Sequence, residues 1–267
     1  MFLEMRRITS KMASNWLERE VPYSILLPAG YESSDLKYPI LYLLHGLFGS
    51  HENWLELTNI EELSKTLGLI IVMPDGSDGW YCDSEVVSSN RYETFFVDEF
   101  LPSIERGFRA IQAREARAIA GLSMGGYGAF KFSLRRPDLF TFAASFSGAF
   151  DAPERSDDAP GFDWNTLKPS ILQAFGDSES ETRARNDLFL LIESIKTDEV
   201  RSLPYFYFNC GLNDGFIEAN IRLHEAFDLA GVDHQFDQIE GGHDWDYWGS
   251  QLPRLLRMTS ELLVRSK

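Results

Sequence analysis

The stretch that decides the fold is Arg117–Gly125, with the sequence RAIAGLSMG. The apolar run Arg117–Ala120 is typical of a buried strand, and a helix-forming stretch begins directly after the serine. Between them, Gly121, Ser123 and Gly125 form a Gly-x-Ser-x-Gly motif. In this strand–turn–helix setting the glycines permit a sharp turn that raises the serine hydroxyl above the sheet. The stretch therefore predicts a nucleophile elbow centred on Ser123.

Apolar runs and amphipathic stretches of helical length alternate along the chain, a pattern typical of a mostly parallel twisted sheet flanked by helices. With the elbow, it predicts an α/β-hydrolase fold, as a single domain over residues 1–267. The predicted strands are Arg6–Lys11, Val21–Leu27, Ile40–Leu44, Leu69–Met73, Arg117–Ala120, Phe142–Phe146, Leu203–Asn209 and Gln235–Ile239. The predicted helices are Glu52–Leu67, Phe95–Phe108, Met124–Arg135, Ile217–Ala230 and Tyr247–Val264.

One segment breaks this alternation. It opens with the acidic sequence DAPERSDDAPGFDW at 151–164 and turns helical through Leu188–Ile195. We interpret residues 151–202 as a small, cap-like helical insertion over the active-site end of the sheet. An ordinary helical connection on the surface remains an equal alternative.

The composition excludes several classes of protein. The 267 residues carry a formal charge of −16, which repels phosphate backbones and anionic lipid and argues against a nucleic-acid partner. Cys82 and Cys210 are too few for a disulfide framework and have no metal-binding spacing. No apolar run reaches the length of a signal peptide or a membrane span. The sequence thus indicates a cytoplasmic protein, with homo-oligomerisation left open.

A serine nucleophile needs a base, and the base needs an orienting acid. His243 lies in the loop GGHDW between the last predicted strand and the final helix, where this fold places its base. His224 falls inside a helix, and His234 precedes the last strand, at the wrong end of the sheet. Asp214 follows a predicted strand and precedes His243 in the chain, which favours it as the acid over Asp177 in the insertion.

Acyl transfer also requires hydrogen-bond donors for the oxyanion. The loop HGLFG at 45–49 follows the strand Ile40–Leu44, at the point where this fold contributes one backbone N–H. The second donor is the residue after the nucleophile. We therefore predict the N–H groups of Leu47 and Met124 as the oxyanion hole, and we interpret His45 as a brace for its loop.

Aromatic residues near the same end of the sheet suggest a substrate-binding wall. Trp54, Trp80 and Tyr81 are the candidates, and a simple core role is an equal alternative for them. The aspartates of the segment DGSDGWY at 75–81 lack the spacing of a calcium loop. We therefore expect no metal and no cofactor.

Taken together, several motif blocks resemble the tributyrin-esterase branch of the esterase D-like superfamily. The blocks are HGLFGSHENW, IIVMPDGSDGWYCDS, IAGLSMGGYGAFK, AASFSGAF, CGLNDGFIEAN and GGHDWDYW. That superfamily includes S-formylglutathione hydrolases, feruloyl and acetylxylan esterases, and mycolyltransferases. The resemblance runs from about Val21 to Leu256, and it departs from the familiar pattern at Cys82, where a threonine is usual.

The resemblance implies a nucleophile at Ser123, an acid at Asp214, a base at His243 and oxyanion donors at Leu47 and Met124. It also implies small acyl groups. The leading hypothesis is a serine carboxylesterase that hydrolyses small, short-chain acyl esters through an acyl-enzyme. S-formylglutathione hydrolase and acyltransferase activities are the enzyme alternatives, and a catalytically silent binding protein of the same fold is the non-enzyme alternative.

Overall fold

A computed structural model describes residues 5–155 and 164–265. Within them, eight strands form one sheet in the order β1-β2-β4-β3-β5-β6-β7-β8. Strand β2 pairs antiparallel with both β1 and β4, and the remaining neighbours are parallel. The strands are β1 (Arg6–Ser14), β2 (Arg19–Leu27), β3 (Ile40–Leu44), β4 (Ile70–Pro74), β5 (Arg117–Leu122), β6 (Phe142–Phe146), β7 (Tyr205–Gly211) and β8 (His234–Ile239).

Helices connect the strands and lie on both faces of the sheet. The α-helices are α1 (Asn53–Glu56), α2 (Ile60–Ser64), α3 (Tyr92–Thr94), α4 (Leu101–Gly107), α5 (Met124–Arg135), α6 (Trp164–Phe175), α7 (Glu181–Asn186), α8 (Leu188–Glu193), α9 (Ile217–Ala230) and α10 (Trp245–Leu262). A π-helical turn, Phe95–Phe100, joins α3 to α4. None of the helices described is long and apolar enough to cross a membrane.

The central strands are buried on both sides, which explains their continuous apolar sequences. In β3, Ile40, Tyr42 and Leu44 belong to one apolar cluster, while Leu41 and Leu43 belong to another. Successive side chains of a strand point to opposite faces, so each cluster fills the space beneath one layer of helices. The predicted α/β-hydrolase class is confirmed, with β1 and β2 as its antiparallel edge.

The predicted helix Glu52–Leu67 is wrong in one respect, because the structure divides it into α1 and α2. Thr58 lies at the break, where its hydroxyl donates to the Trp54 carbonyl and accepts the N–H of Ile60. A threonine side chain that bonds to nearby backbone groups competes with the helical ladder. Pro102 lies in the first turn of α4, directly after the π-helical turn, and removes one backbone N–H from the helical ladder there.

The segment predicted as an insertion contributes α6, α7 and α8, while residues 156–163 lie outside the described part of the chain. Helix α8 packs against α5 and α9. The Tyr127 hydroxyl of α5 donates to the carbonyl of Asn186 over 2.7 Å, which ties the end of α7 to the helix that follows the elbow. The segment is therefore anchored on the α5 face of the sheet. Its role as a cap stays a prediction.

Candidate active site

The turn between β5 and α5 has the backbone geometry of a nucleophile elbow. Ser123 has φ 52° and ψ −117°, which is unusual for a residue with a side chain. A Cβ at Gly121 would lie 2.4 Å from the Gly125 carbonyl, and one at Gly125 would lie 2.5 Å from the His45 carbonyl. The two glycines are thus required by close backbone contacts, which hold Ser123 at the carboxyl end of β5.

Two other loops at this end of the sheet bring His243 and Asp214 to the serine. His243 follows β8, and its Nε2 lies 3.0 Å from Ser123 Oγ. Its Nδ1 lies 2.9 Å from Asp214 Oδ2, and the Asp214 side chain is fully buried. Because a carboxylate only accepts, Nδ1 carries the proton and Nε2 accepts the serine hydroxyl. This order of donors suits removal of a proton from Ser123.

Neighbouring groups fix the orientation of the acid and of the imidazole. Asp214 Oδ1 accepts the backbone N–H of Phe216 over 2.8 Å. The His243 ring lies between two aromatic rings, with centroids 5.1 Å from Phe216 and 4.9 Å from Trp248. The Trp248 indole in turn donates to Ser147 Oγ over 3.1 Å. Few rotations are left to His243, so its hydrogen bonds to Ser123 and Asp214 are preorganised.

The loop after β3 approaches the serine from the other side. Within it, the N–H of Phe48 donates to Asp78 Oδ1 over 2.7 Å, and the N–H of Gly49 donates to the Gly46 carbonyl over 3.1 Å. Leu47 lines the cleft beside Ser123. Met124 is the first residue of α5, and the first N–H of a helix has no partner within that helix. The two predicted oxyanion donors therefore flank the serine, and their role stays a prediction.

His45 is fully buried at the base of this loop. Its Nε2 accepts the N–H of Gly76 over 2.7 Å, and its Nδ1 lies 2.7 Å from the Gly46 carbonyl, to which it donates. Both ring nitrogens are thus used by the backbone. Burial lowers the pKa of His45 below its ordinary value of 6.5, so the ring stays neutral. This arrangement braces the loop and leaves no nitrogen for the substrate.

A cleft of about 330 Å³ opens at Ser123. Its lining is mostly apolar, with Asn53 and Thr166 among its polar members. The residues on its apolar wall are Leu47, Phe48, Leu122, Leu167, Trp245 and Trp248. Leu167 comes from α6, so the segment 151–202 supplies part of the wall.

The expected aromatic wall needs correction, because the structure places Trp54, Trp80 and Tyr81 in the core beneath the loops. Each is at most 1% exposed, and none lines the cleft. The polar atom of each side chain is hydrogen-bonded inside the fold. The Trp54 indole donates to the Leu44 carbonyl, and the Trp80 indole donates to Ser170 Oγ. The Tyr81 hydroxyl donates to the His45 carbonyl. These internal acceptors draw the rings inward.

The aromatic residues that do reach the cleft are Phe48, Trp245 and Trp248. The last two follow His243 in the block GGHDWDYW, so their closeness to the histidine in sequence was an available signal. Asp177, the alternative acid, is exposed and accepts the N–H of Glu179. Asp214 is therefore the carboxylate that the fold brings to His243.

This sheet, with a serine, a histidine and a carboxylate joined at its carboxyl edge, defines a member of the α/β-hydrolase class. The family model named Esterase matches residues 14–259, so the chain belongs to the esterase family and is a carboxylic ester hydrolase. An acetyl esterase of Caldicellulosiruptor saccharolyticus is 30% identical over 86% of this chain and 86% of its own. An esterase of Mycobacterium tuberculosis is 30% identical over 82% of this chain, which spans only 52% of that protein.

Solved structures show the same architecture. A ferulic acid esterase superimposes with a TM-score of 0.83 and 30% identity, covering 97% of this chain and 100% of that one. An S-formylglutathione hydrolase from Staphylococcus aureus gives a TM-score of 0.82 over 96% of this chain and 99% of its own. Its identity is 24%, so this second likeness shows the fold alone.

In His45→Gln, the free energy of unfolding should fall less steeply between neutral pH and mild acid than it does in the wild type. The folded chain keeps His45 neutral, whereas the unfolded chain takes up its proton below about pH 6.5. The unfolded state then binds more protons, so wild-type stability falls as the pH drops through that range. One such group contributes up to about 1.4 kcal/mol per pH unit. Urea unfolding between about pH 5 and 8 measures the free energy of unfolding, and its dependence on pH gives the slope.

The comparison variant is His51→Gln, since His51 is also a histidine of this region but is only partly buried. Relative to the wild type, the pH dependence of the free energy of unfolding should change more in His45→Gln than in His51→Gln. Equal slopes in the wild type and in His45→Gln would contradict a neutral, buried His45.

Proposed function

We propose that this chain hydrolyses small carboxylic esters through an acyl-enzyme formed on Ser123. One observation carries the proposal: an unbroken hydrogen-bonded chain runs from buried Asp214 through His243 to Ser123 at the floor of an open cleft. A serine hydroxyl is a weak nucleophile at neutral pH, and a histidine base oriented by a carboxylate is a recurrent way to activate it.

In the acylation step, Ser123 Oγ attacks the ester carbonyl carbon and passes its proton to His243 Nε2. The resulting imidazolium is stabilised by the carboxylate of Asp214. The carbonyl oxygen becomes an oxyanion, and the N–H groups of Leu47 and Met124 are its proposed donors. When the tetrahedral intermediate collapses, the alcohol leaves with the proton that His243 held.

In the deacylation step, water takes the place of the alcohol. His243 removes a proton from the water as the water oxygen attacks the acyl carbon, and then returns a proton to Ser123 Oγ. The products are a carboxylic acid and the regenerated serine. An acyltransferase would differ only in using a second alcohol instead of water, so exclusion of water would be its distinguishing requirement.

The size and lining of the cleft favour small acyl groups. A volume of about 330 Å³ lies near the lower end of the range for small-molecule sites, which is roughly 300–1,000 Å³. Leu167 of α6 lies on its wall and limits its extent, while Leu47 and Leu122 provide apolar contacts. The similarity to an acetyl esterase supports the same preference.

Esters of aromatic acids are a second candidate substrate class. The specific observation is that Phe48, Trp245 and Trp248 all line the cleft, because flat aromatic rings pack well against indole and phenyl faces. The structural similarity to a ferulic acid esterase at 30% identity supports this alternative. Methyl ferulate therefore belongs in the substrate panel beside the aliphatic esters.

Ser123→Ala should fold normally and lose nearly all esterase activity. Removal of the nucleophile from such a unit costs on the order of 10⁶-fold in kcat. Turnover of p-nitrophenyl acetate, with circular dichroism as the folding control, measures the effect. Activity above a tenth of the wild-type value would exclude Ser123 as the nucleophile, whereas no activity in the wild type would favour a silent binding protein.

Asp214→Asn should lower kcat by about 10⁴-fold, because an amide favours the wrong tautomer of His243. Asp177→Asn is the matched control, since it makes the same chemical change on an exposed loop of the insertion. It should leave kcat unchanged. The opposite ranking, measured on the same ester, would assign the acid to Asp177.

Among p-nitrophenyl esters from acetate to palmitate, kcat/KM should peak between acetate and butyrate. Each methylene that fits an apolar pocket contributes about 0.8 kcal/mol, whereas a methylene beyond the wall stays in water or causes strain. The decline should be graded, at most about 10–200-fold per step. An optimum at decanoate or beyond would contradict the short-acyl proposal, and a preference for methyl ferulate or formyl-glutathione would assign those substrates instead.

A pair of variants tests whether the wall of the cleft determines the preferred length of the acyl chain. Leu167→Ala removes a side chain from the wall and should move the optimum to longer acyl chains. Leu172→Ala makes the same change on the same helix, at a residue 37% exposed and outside the cleft. It should leave the optimum unchanged, and an equal shift in both variants would show that the cleft wall is not responsible.

A further inference from the structure

Three metal-binding side chains converge at the junction of α9 and β8. His224 and Asp228 lie one turn apart on α9, and His234 is the first residue of β8. One ligand atom from each lies within 4.8 Å of the other two. We propose that His224, Asp228 and His234 bind a divalent transition-metal ion, with Zn²⁺ as the best fit. We name these three residues the His–Asp–His cluster.

The cluster is separate from the esterase site. Strands β7 and β8 are parallel, and His234 pairs with Phe206 near the amino end of β7. Asp214 follows the opposite, carboxyl end of β7, where Ser123 and His243 also lie. A strand of this length spans roughly 16–20 Å. An ion at the cluster would therefore stabilise the fold and have no contact with the reacting ester.

His234 is held as a ligand with a defined tautomer. Its side chain is only 4% exposed, and its ring stacks on Phe208 with centroids 5.8 Å apart. Its Nδ1 lies 2.8 Å from the Val232 carbonyl, which can only accept, so Nδ1 carries the proton. The lone pair of Nε2 therefore points toward the cluster. A backbone carbonyl on the second nitrogen is a common feature of metal-binding histidines.

The three side chains of the cluster already lie close to one another. His224 Nδ1 lies 2.7 Å from His234 Nε2. The two oxygens of Asp228 lie 3.6 Å from His224 Nε2 and 3.9 Å from His234 Nε2. Two imidazoles and a carboxylate therefore converge on one point, and these are nitrogen and oxygen ligands that Zn²⁺ takes in proteins.

The geometry allows a metal ion after small movements. Zn–N and Zn–O bonds of about 2.0–2.2 Å place tetrahedral ligand atoms roughly 3.3 Å apart. His234 is fixed, whereas the His224 and Asp228 side chains are 39% and 66% exposed and are free to adjust. Water would complete the fourth position. Two imidazole ligands favour Zn²⁺ over Ca²⁺ and Mg²⁺, because the latter two ions prefer oxygen ligands. The net charge of −16 favours the binding of cations in general.

Calorimetric titration of the chelator-treated full chain with ZnCl₂ tests the proposal. We expect one equivalent to bind, and no binding of MgCl₂ or CaCl₂ at the same concentrations. His224→Gln and Asp228→Asn should each weaken Zn²⁺ binding by at least about tenfold, since even a residue behind a ligand contributes that much. Both positions are partly or largely exposed, so these variants should fold. His234 is left unchanged because its burial makes a substitution ambiguous.

Two controls match these changes. Glu225→Gln neutralises the exposed carboxylate next to His224, and His51→Gln removes a histidine elsewhere; both should bind Zn²⁺ as the wild type does. Hydrolysis of p-nitrophenyl acetate should stay within about twofold in the cluster variants, and chelators should not reduce it.

Zn²⁺ should also raise the melting temperature of the wild type and of Glu225→Gln, and this increase should be lost in Asp228→Asn. Absence of Zn²⁺ binding would overturn the proposal. Equal affinity in the wild type and both cluster variants would also overturn it. In that case, inhibition of esterase activity by Zn²⁺ would locate the ion at His243.

Discussion

The turn at Ser123 is the constraint on which the rest of the active site depends. Its positive φ costs on the order of 1–3 kcal/mol and persists only where surrounding structure holds it. Here the holding contacts are backbone to backbone: Gly121 lies against Gly125, and Gly125 lies against the carbonyls of Leu44 and His45. The end of β3, the end of β5 and the start of α5 are thus in direct contact. Helix α5 is buried along nearly its whole length, and that burial stabilises the strained turn at its beginning.

A chain of buried polar groups joins helix α5 to the loop at residues 45–49. Lys131 of α5 is fully buried, and its ammonium donates to the Tyr81 carbonyl over 2.7 Å. The Tyr81 hydroxyl donates to the His45 carbonyl over 2.9 Å, and His45 accepts the N–H of Gly76. A buried ammonium is costly unless it is paired, and Glu93 lies 3.0 Å from it. Although burial alone would raise the pKa of Glu93, Lys131 and Arg135 lower it overall, which keeps the carboxylate charged. The loop that carries Leu47 is therefore positioned by the core.

The same sheet places histidines in two different environments. At the carboxyl edge, the His243 ring contacts Phe216 and Trp248, and its two nitrogens lie against buried Asp214 and Ser123 Oγ. At the amino end of β8, His234 also has one nitrogen fixed, by a backbone carbonyl, but its other nitrogen faces a second histidine. The fixed nitrogen sets the tautomer in both cases. The group that faces the second nitrogen then decides what each histidine is suited to, which is the proposed proton transfer from Ser123 at one end and the proposed cation binding at the other.

The sequence by itself determined the fold class, the elbow, and the choice of His243 and Asp214. The elbow is visible as a local strand–turn–helix pattern, and the order of the serine, the acid and the histidine along the chain is characteristic of this fold.

The sequence could not determine which aromatic rings reach the cleft. Trp54 of α1, together with Trp80 and Tyr81 of the segment after β4, follows a strand at the correct edge. Their polar atoms nevertheless find acceptors inside the fold, and Trp245 and Trp248 line the cleft instead. Nor could it join His224 and Asp228 to His234, since a helix and the next strand meet only after packing. Local patterns specify elements and their order, whereas the direction of a side chain depends on partners that only the tertiary structure supplies.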